Sequence, residues 1–201
     1  MYYSMSFDFS SQLILENERA LLRPLTENDV ESLLYFSENE PSLWEYSLQT
    51  AAGGHQLKAY ISNALADRAI GKAYPFLVFD KQSEEVAGCT RFYDINFYHK
   101  RISIGFTWYG KAFQRTGLNR QCKLLLLSHA FEVLGIERVE FRADARNQRS
   151  IEAMLALGCV MEGTLRSNCR AGEGRRDSVV LSVLKAEWEK GGKEALKAKT
   201  H

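Results

Sequence analysis

No two of the four cysteines, Cys89, Cys122, Cys159 and Cys169, stand in a C-x-x-C spacing. Scattered in this way they exclude a zinc-ribbon pattern and a dense disulfide framework, and are expected as reduced, mostly buried thiols of a cytoplasmic protein. The four histidines fall at a helix start, a turn, a helix face and the tail, so no metal-ligand geometry is expected. No run approaches the roughly 20 apolar residues that a membrane span requires. The opening MYYSMSFDFSSQLIL lacks a basic n-region and a long apolar h-region, so a secretory signal is not expected either. Charge of one sign is also missing. A net charge of +1 provides no bulk attraction to a membrane or to nucleic acid, and neither partner is expected. There are no internal repeats, low-complexity tracts or linkers.

What the chain has is material for a core: 45% hydrophobic and 11% aromatic residues in 201, enough for one α/β domain. Residues 1–12 read as an N-terminal extension, 13–188 as the domain and 189–201 as a charged tail. Ala20–Leu25 reads as a strand. Thr26 and Asp29 cap a helix over Asn28–Glu38, an aromatic loop follows at Pro41–Tyr46, and a second helix opens at Gly53 and ends by Gly71. Ala73–Phe79 and Glu85–Ile95 form a hairpin around a polar turn. Arg138–Ala143 is a strand, and Asn147 caps a helix carrying Ile151, Met154 and Leu155. Cys159–Cys169 and Asp177–Leu184 are strands around a basic tip at Arg170–Arg176.

The centre of the chain is Arg101–Phe131. Ile102, Ile104, Phe106 and Trp108 fall two apart and read as a strand. Gln114-Arg115-Thr116-Gly117-Leu118-Asn119 is a turn into a long apolar helix. Free N–H groups at a helix start attract anions, phosphates above all. The turn is neither a Walker loop nor a dinucleotide fingerprint, because Gly-Lys-Ser/Thr and G-x-G-x-x-G are both missing. A strand–helix–strand crossover here demands one parallel pair within an otherwise antiparallel sheet, a place where strand ends diverge and ligands bind.

Q-R-T-G-L-N resembles the Q/R-x-x-G-x-G/A loop of the Gcn-type N-acetyltransferase (GNAT) superfamily. L-R-P-L-T-x-x-D, G-L-N-R-Q-C-K-L-L-L-L-x-H-A-F, A-D-A-R-N-Q-R-S, L-G-C-V-M-E-G-T-L-R and R-D-S-V-V-L-S-V-L-x-x-E-W resemble its RimJ/RimL branch, which acetylates N-terminal amines of ribosomal proteins and other amines. The resemblance runs in order from about Leu13 to Trp188. It implies a GNAT-like mixed, mostly antiparallel sheet of about seven strands with one parallel splayed pair, flanked by about four helices. It implies acetyl-CoA as co-substrate, no metal, and an amine acceptor, either a protein N-terminus or a small amine. The protein is expected to act as a monomer or homodimer.

By the same resemblance Gln114, Arg115, Thr116, Gly117, Leu118, Asn119 and Arg120 hold the pyrophosphate. Asn119 departs from the superfamily's Gly/Ala. The pantetheine arm lies between Phe106–Tyr109 and Phe141–Asp144. A backbone N–H near Trp108 or Tyr109 polarises the thioester carbonyl, and Asn147 and Ser150 match an N-x-x-S in contact with the arm and near the sulfur. Read from the residues alone, Asn147 is equally an N-cap and Ser150 a first-turn residue.

A general base is missing from the expected places. Ser103 stands where many relatives carry an acid, and Ile151–Leu157 holds no tyrosine. Glu45, Tyr93 and the neighbouring Asp94 remain as catalytic candidates, and Trp44, Tyr46 and Tyr93 suggest a partly apolar acceptor pocket. An α-amine, with a pKa of about 8, needs less help than a lysine. Two other readings stand beside the transferase: a catalytically weak acyl-CoA-binding regulatory domain, and a ribosome-associated protein using the basic hairpin. The arginines Arg166, Arg170, Arg175 and Arg176 read as solvated.

Overall fold

The computed structural model describes residues 7–200. Eight strands form a single sheet in the order β1-β2-β3-β4-β5-β6-β8-β7. They are β1 (Leu15–Glu16), β2 (Ala20–Pro24), β3 (Ala73–Asp80), β4 (Glu85–Asn96), β5 (Arg101–Tyr109), β6 (Arg138–Asp144), β7 (Val160–Ala171) and β8 (Gly174–Leu184). Every neighbouring pair is antiparallel except β5–β6. The strand beyond the expected seven is β1, two residues long and too short to show a period. The helices are α1 (Val30–Asn39), α2 (Gly54–Ala69), α3 (Leu118–Ser128), α4 (Gln148–Ala156), α5 (Lys185–Glu187) and α6 (Lys193–Ala198).

The leading residues 1–6 lie outside the described part. Phe7 and Phe9 fold back on the chain, with Phe7 edge-on to Tyr74 at 4.9 Å and Arg68 donating to Phe9 O at 2.7 Å. At the other end α6 turns the tail onto the body. Leu196 is buried, Gln121 Nε2 donates to Thr200 O at 2.9 Å, and Lys199 Nζ donates to Ala156 O at 2.9 Å.

Two boundaries differ from the sequence reading for local reasons. The long apolar helix keeps regular α geometry only to Ser128. It passes at His129–Val133 into a π turn, where Leu134 N donates to His129 O at 3.0 Å. The basic hairpin tip is also tighter than Arg170–Arg176. Arg170 pairs with Arg175 and Ala171 with Gly174, leaving a two-residue turn in which Gly172 takes φ +57°.

Consecutive strand residues point to opposite faces, and Thr90 and Arg91 of β4 show which helices cover which face. Thr90 meets Lys123 of α3. Arg91 lies over Tyr60 of α2. The α3 side buries Leu118, Cys122, Leu126, Leu127 and Phe131, with Leu124 and Leu125 half-buried. The α1–α2 side buries Leu33, Leu57, Tyr60, Ile61 and Trp44. All four thiols are free; Cys89, Cys122 and Cys159 are buried and Cys169 is half-buried. Among the described residues no helix is long and apolar enough to cross a membrane.

Candidate functional site

β5 and β6 pair over three residues only, Arg101–Ser103 against Arg138–Glu140, and then part. A β-bulge lies just past the parting. Arg91 stands opposite Gly105 while Cys89 stands opposite Trp108, so β5 carries one residue more than β4, and Phe106 takes φ +49°. The bulge corrects the simple alternation expected along β5. Thr107 joins the α3 side, bonded to Thr90 at 2.8 Å, whereas Phe106 and Trp108 turn to the α1–α2 side. Ile102 and Ile104 therefore do not share a face with Phe106 and Trp108, because an inserted residue reverses the phase of a period of two. Gly88 makes the close approach possible. A Cβ on it would stand 2.1 Å from Trp108 O.

β5 leads through a single 3-10 turn, Lys111–Phe113, into the turn expected to bind anions. Gln114 is a strut: its Nε2 donates to Tyr109 O at 2.9 Å, and its Oε1 accepts from Arg149 of α4 at 2.9 Å. Thr116 Oγ1 donates to Phe113 O at 2.8 Å. Arg115 and Gly117 both take left-handed backbone, φ +63° and φ +90°, and Gly117 is the N-cap of α3. The backbone N–H groups of Arg115, Thr116, Gly117 and Asn119 donate to no acceptor among the described residues. Several unpaired donors at a helix start, with space beside Gly117 where a Cβ would meet only Arg120 Nη2 at 3.9 Å, form a cradle for an anion. Leu118 is buried and anchors α3 in the core.

The side chains of Trp108 and Tyr109 are core. Trp108 packs edge-on against Trp44 at 5.0 Å and Phe36 at 6.0 Å. Tyr109 is buried beside Cys122, and burial holds its hydroxyl well above the ordinary tyrosine range. Across the gap β6 ends at Asp144, whose carboxylate takes Arg146 at 2.7 Å; the guanidinium holds that carboxyl below its usual value. Asn147 caps α4, accepting Ser150 N at 3.1 Å. The Ser150 hydroxyl is half-buried and has no hydrogen-bond partner among the described residues.

The candidate catalytic groups do not converge. Glu45 is exposed at the end of the aromatic loop, near the open end of the gap, where Arg146 lies over the neighbouring Tyr46 ring at 5.8 Å. Tyr93 stands at the vertex, opposite Ser103, with its ring against Gly105 and edge-on to Phe106 at 5.3 Å; burial raises its hydroxyl. Asp94 is exposed at the closed end, lining a groove with Lys72 and Arg101. The hairpin arginines also divide. Arg166, Arg170 and Arg175 are exposed, but Arg176 is buried, donating to Ser178 Oγ at 3.1 Å and to Tyr46 O at 3.4 Å. Arg176 is thus a structural tie to the aromatic loop, which corrects its reading as a solvated residue.

Three charged residues escaped the sequence reading. Glu140, buried at the vertex, accepts from Arg138 at 2.8 Å and Arg142 at 2.7 Å. Burial alone would raise its carboxyl, yet the two guanidiniums hold it below its ordinary value. Lys123 is buried under the bulge, its Nζ bonded to Thr107 Oγ1 at 2.9 Å and Thr90 Oγ1 at 3.3 Å, and burial pushes its ammonium down to about 8. Arg91 is buried on the other face. The available signal was a single cation inside an apolar run, as in Cys122–Leu127 and Ala87–Phe92. Among the described residues no group of His, Cys, Asp or Glu forms a metal cluster.

The sequence pattern of the acetyltransferase (GNAT) domain matches residues 19–160. The "Uncharacterized N-acetyltransferase YoaA" of Bacillus subtilis is 24% identical over 172 residues, 86% of this chain and 97% of that protein. The "Putative ribosomal N-acetyltransferase YdaF" of the same organism is 28% identical over 104 residues, 52% of this chain and 56% of that one. A crystal structure of a GCN5-related N-acetyltransferase from Brucella melitensis superimposes with a TM-score of 0.88 at 25% identity, covering 96% of this chain and 88% of that one.

Proposed function

The chain belongs to the acetyltransferase (GNAT) family, and from that premise we propose that it acetylates a primary amine by direct attack of the amine on the thioester of acetyl-CoA. Membership makes it an N-acetyltransferase, and the family uses acetyl-CoA as co-substrate. One observation carries the placement. The left-handed Gly117 and the unpaired N–H groups around it follow the stretch of β5 that has parted from β6, which supports one site running from the turn to the gap. A pyrophosphate fits the cradle by charge and by donor geometry. Gln114, Thr116 and Leu118 shape the turn; Arg115, Asn119 and Arg120 border it.

Acetyl-CoA supplies an activated acetyl thioester. The chain's own part is to hold and orient. The backbone N–H of Trp108 or Tyr109 at the rim of the cleft polarises the carbonyl, Asn147 steadies the arm, and Ser150 offers its uncommitted hydroxyl to the departing sulfur. Among the described residues no carboxylate stands free at the vertex, since Glu140 is committed to Arg138 and Arg142. Proton removal therefore falls to water or to Glu45 at the open end, and positioning supplies most of the rate. That chemistry suits an α-amine, about 8 in pKa, better than a lysine at about 10.4. The RimJ/RimL-like motifs and the similarity to YdaF support a protein N-terminus or a small amine as acceptor. The free, mostly buried thiols support a cytoplasmic setting.

The commitment of Glu140 also favours a second reading, an acyl-CoA-binding regulatory domain with little turnover. Thiol release from acetyl-CoA across a panel of amines separates the two. Release that depends on an amine is expected. Coenzyme A binding with no release above the uncatalysed rate, for any amine, would leave the regulatory reading in its place.

A further inference from the structure

Arg91 is the most deeply buried arginine, 1% exposed. Among the described residues it has no carboxylate partner, and its Nη2 has no acceptor. The more exposed Arg19, Arg23, Arg138, Arg142 and Arg146 each pair with a carboxylate. Its guanidinium lies between two rings, 3.9 Å from the centroid of Phe106 and 5.1 Å from that of Tyr60. Ring faces offset part of the desolvation of a cation but accept none of its directed N–H bonds. Two further donors nearby are buried without acceptors, the indole Nε1 groups of Trp44 and Trp108. These two indoles pack together at 5.0 Å. Tyr60 joins the group, with its hydroxyl donating to Phe106 O at 3.3 Å. Burial raises that hydroxyl, and the charge of Arg91 and hydrogen bonding from Arg91 and Trp108 lower it, so among the described residues the Tyr60 oxygen is the one acceptor this group of donors shares.

Buried donors in excess of acceptors, one of them charged, call for an anion. The cluster sits on the α1–α2 side of the bulge, across the strand from α3. Phe106, half-exposed and at φ +49°, is the ring that covers the guanidinium. We propose that Arg91, with the indole N–H groups of Trp44 and Trp108, receives an anionic group of the acceptor once the Phe106 ring turns aside. The acceptor is then a primary amine that also carries a carboxylate or a phosphonate-like group, an amino acid being the simplest example. This rests on the acetyl-transfer reading and narrows it, since a neutral amine leaves the guanidinium without its partner.

The test uses products as probes and does not depend on turnover. The full chain is titrated with N-acetylglycine, N-acetylglycinamide and N-acetylaminomethylphosphonate, with and without coenzyme A, following tryptophan fluorescence. Trp44 and Trp108 line the cluster, while Trp188 packs against Phe131 elsewhere and forms a constant background. The carboxylate or the phosphonate is expected to bind about tenfold or more tightly than the amide, the scale of one charge-assisted hydrogen bond. Whichever acid binds better names the anion. Arg91→Gln should bring the acid-to-amide ratio to about one, and Arg91→Lys should retain part of it. Acid and amide binding within about a factor of two in the wild-type chain would overturn the proposal, as would a ratio that survives Arg91→Gln in a folded variant. Should Arg91→Gln not fold, as judged by circular dichroism, the wild-type ratio decides. Failure of coenzyme A to bind would count against acetyl transfer, while the acid-to-amide ratio would still decide the role of Arg91.

Discussion

The two faces of the β4–β5 ladder each carry a buried cation at the bulge, and they are held in different ways. On the α3 side Lys123 is bonded to two hydroxyls, Thr107 at 2.9 Å and Thr90 at 3.3 Å. On the α1–α2 side Arg91 rests against the Phe106 and Tyr60 rings, and among the described residues its Nη2 has no acceptor. A lysine's compact ammonium can lose its proton when buried, and this one is pushed down to about 8. A guanidinium cannot be neutralised in that way. At the bulge the fold has therefore given the cation of one face two hydroxyl partners and left an Nη2 of the other without an acceptor among the described residues.

The largest effect is expected where both faces are held at once. Gly88→Ala puts a Cβ 2.1 Å from Trp108 O and 2.9 Å from Tyr109 Cα, so β4 and β5 must move apart. We expect a loss of about 3 kcal/mol in denaturant unfolding, at the upper end of overpacking effects. A change below about 1 kcal/mol would mean that the bulge is soft, and the contrast between its two faces would lose its basis.

Next comes the pH dependence contributed by Lys123. Its ammonium falls from an ordinary 10.5 to about 8 on folding. Between those values the unfolded chain holds a proton that the folded chain has released. The Lys123 contribution to stability therefore rises with pH through that window and is flat below about 8. Relative to Lys123→Met, the wild-type chain should gain up to about 3 kcal/mol of unfolding free energy between pH 7 and pH 10. In the variant Thr90 and Thr107 keep each other as partners at 2.8 Å, so its folding at pH 7 is expected to be intact. A difference between wild type and variant that stays constant with pH would show that Lys123 is not buried as described.

Much of this was legible in the sequence, and particular residues explain the rest. The turn Gln114–Asn119 was readable because glycine and polar residues before an apolar helix have a local cause, the helix start itself. The cap at Asn147 was readable on the same grounds. The parallel β5–β6 pair followed from connectivity alone. What stayed hidden was relational. The bulge at Phe106 depends on the register between two strands, and nothing in Ile102–Trp108 by itself announces an inserted residue. Glu140, Lys123 and Arg91 are ordinary charges in sequence, and become informative only when burial and partners are known. Arg176 misled because its neighbours Arg170 and Arg175 are solvated, while its own side chain folds inward to Tyr46.

Everything proposed for the coenzyme depends on the left-handed turn at Gly117 and the β5–β6 cleft holding it together. Calorimetric titration of the wild-type chain and of Gly117→Val with coenzyme A tests this without recourse to turnover. Saturable binding to the wild-type chain is expected. Affinity should be weaker by about tenfold or more in the variant, because a β-branched residue at φ +90° is strained and obstructs close approach of phosphate to the backbone. Wild-type protein that does not bind coenzyme A, or a folded Gly117→Val that binds it equally well, would show that this turn is not where the coenzyme is held.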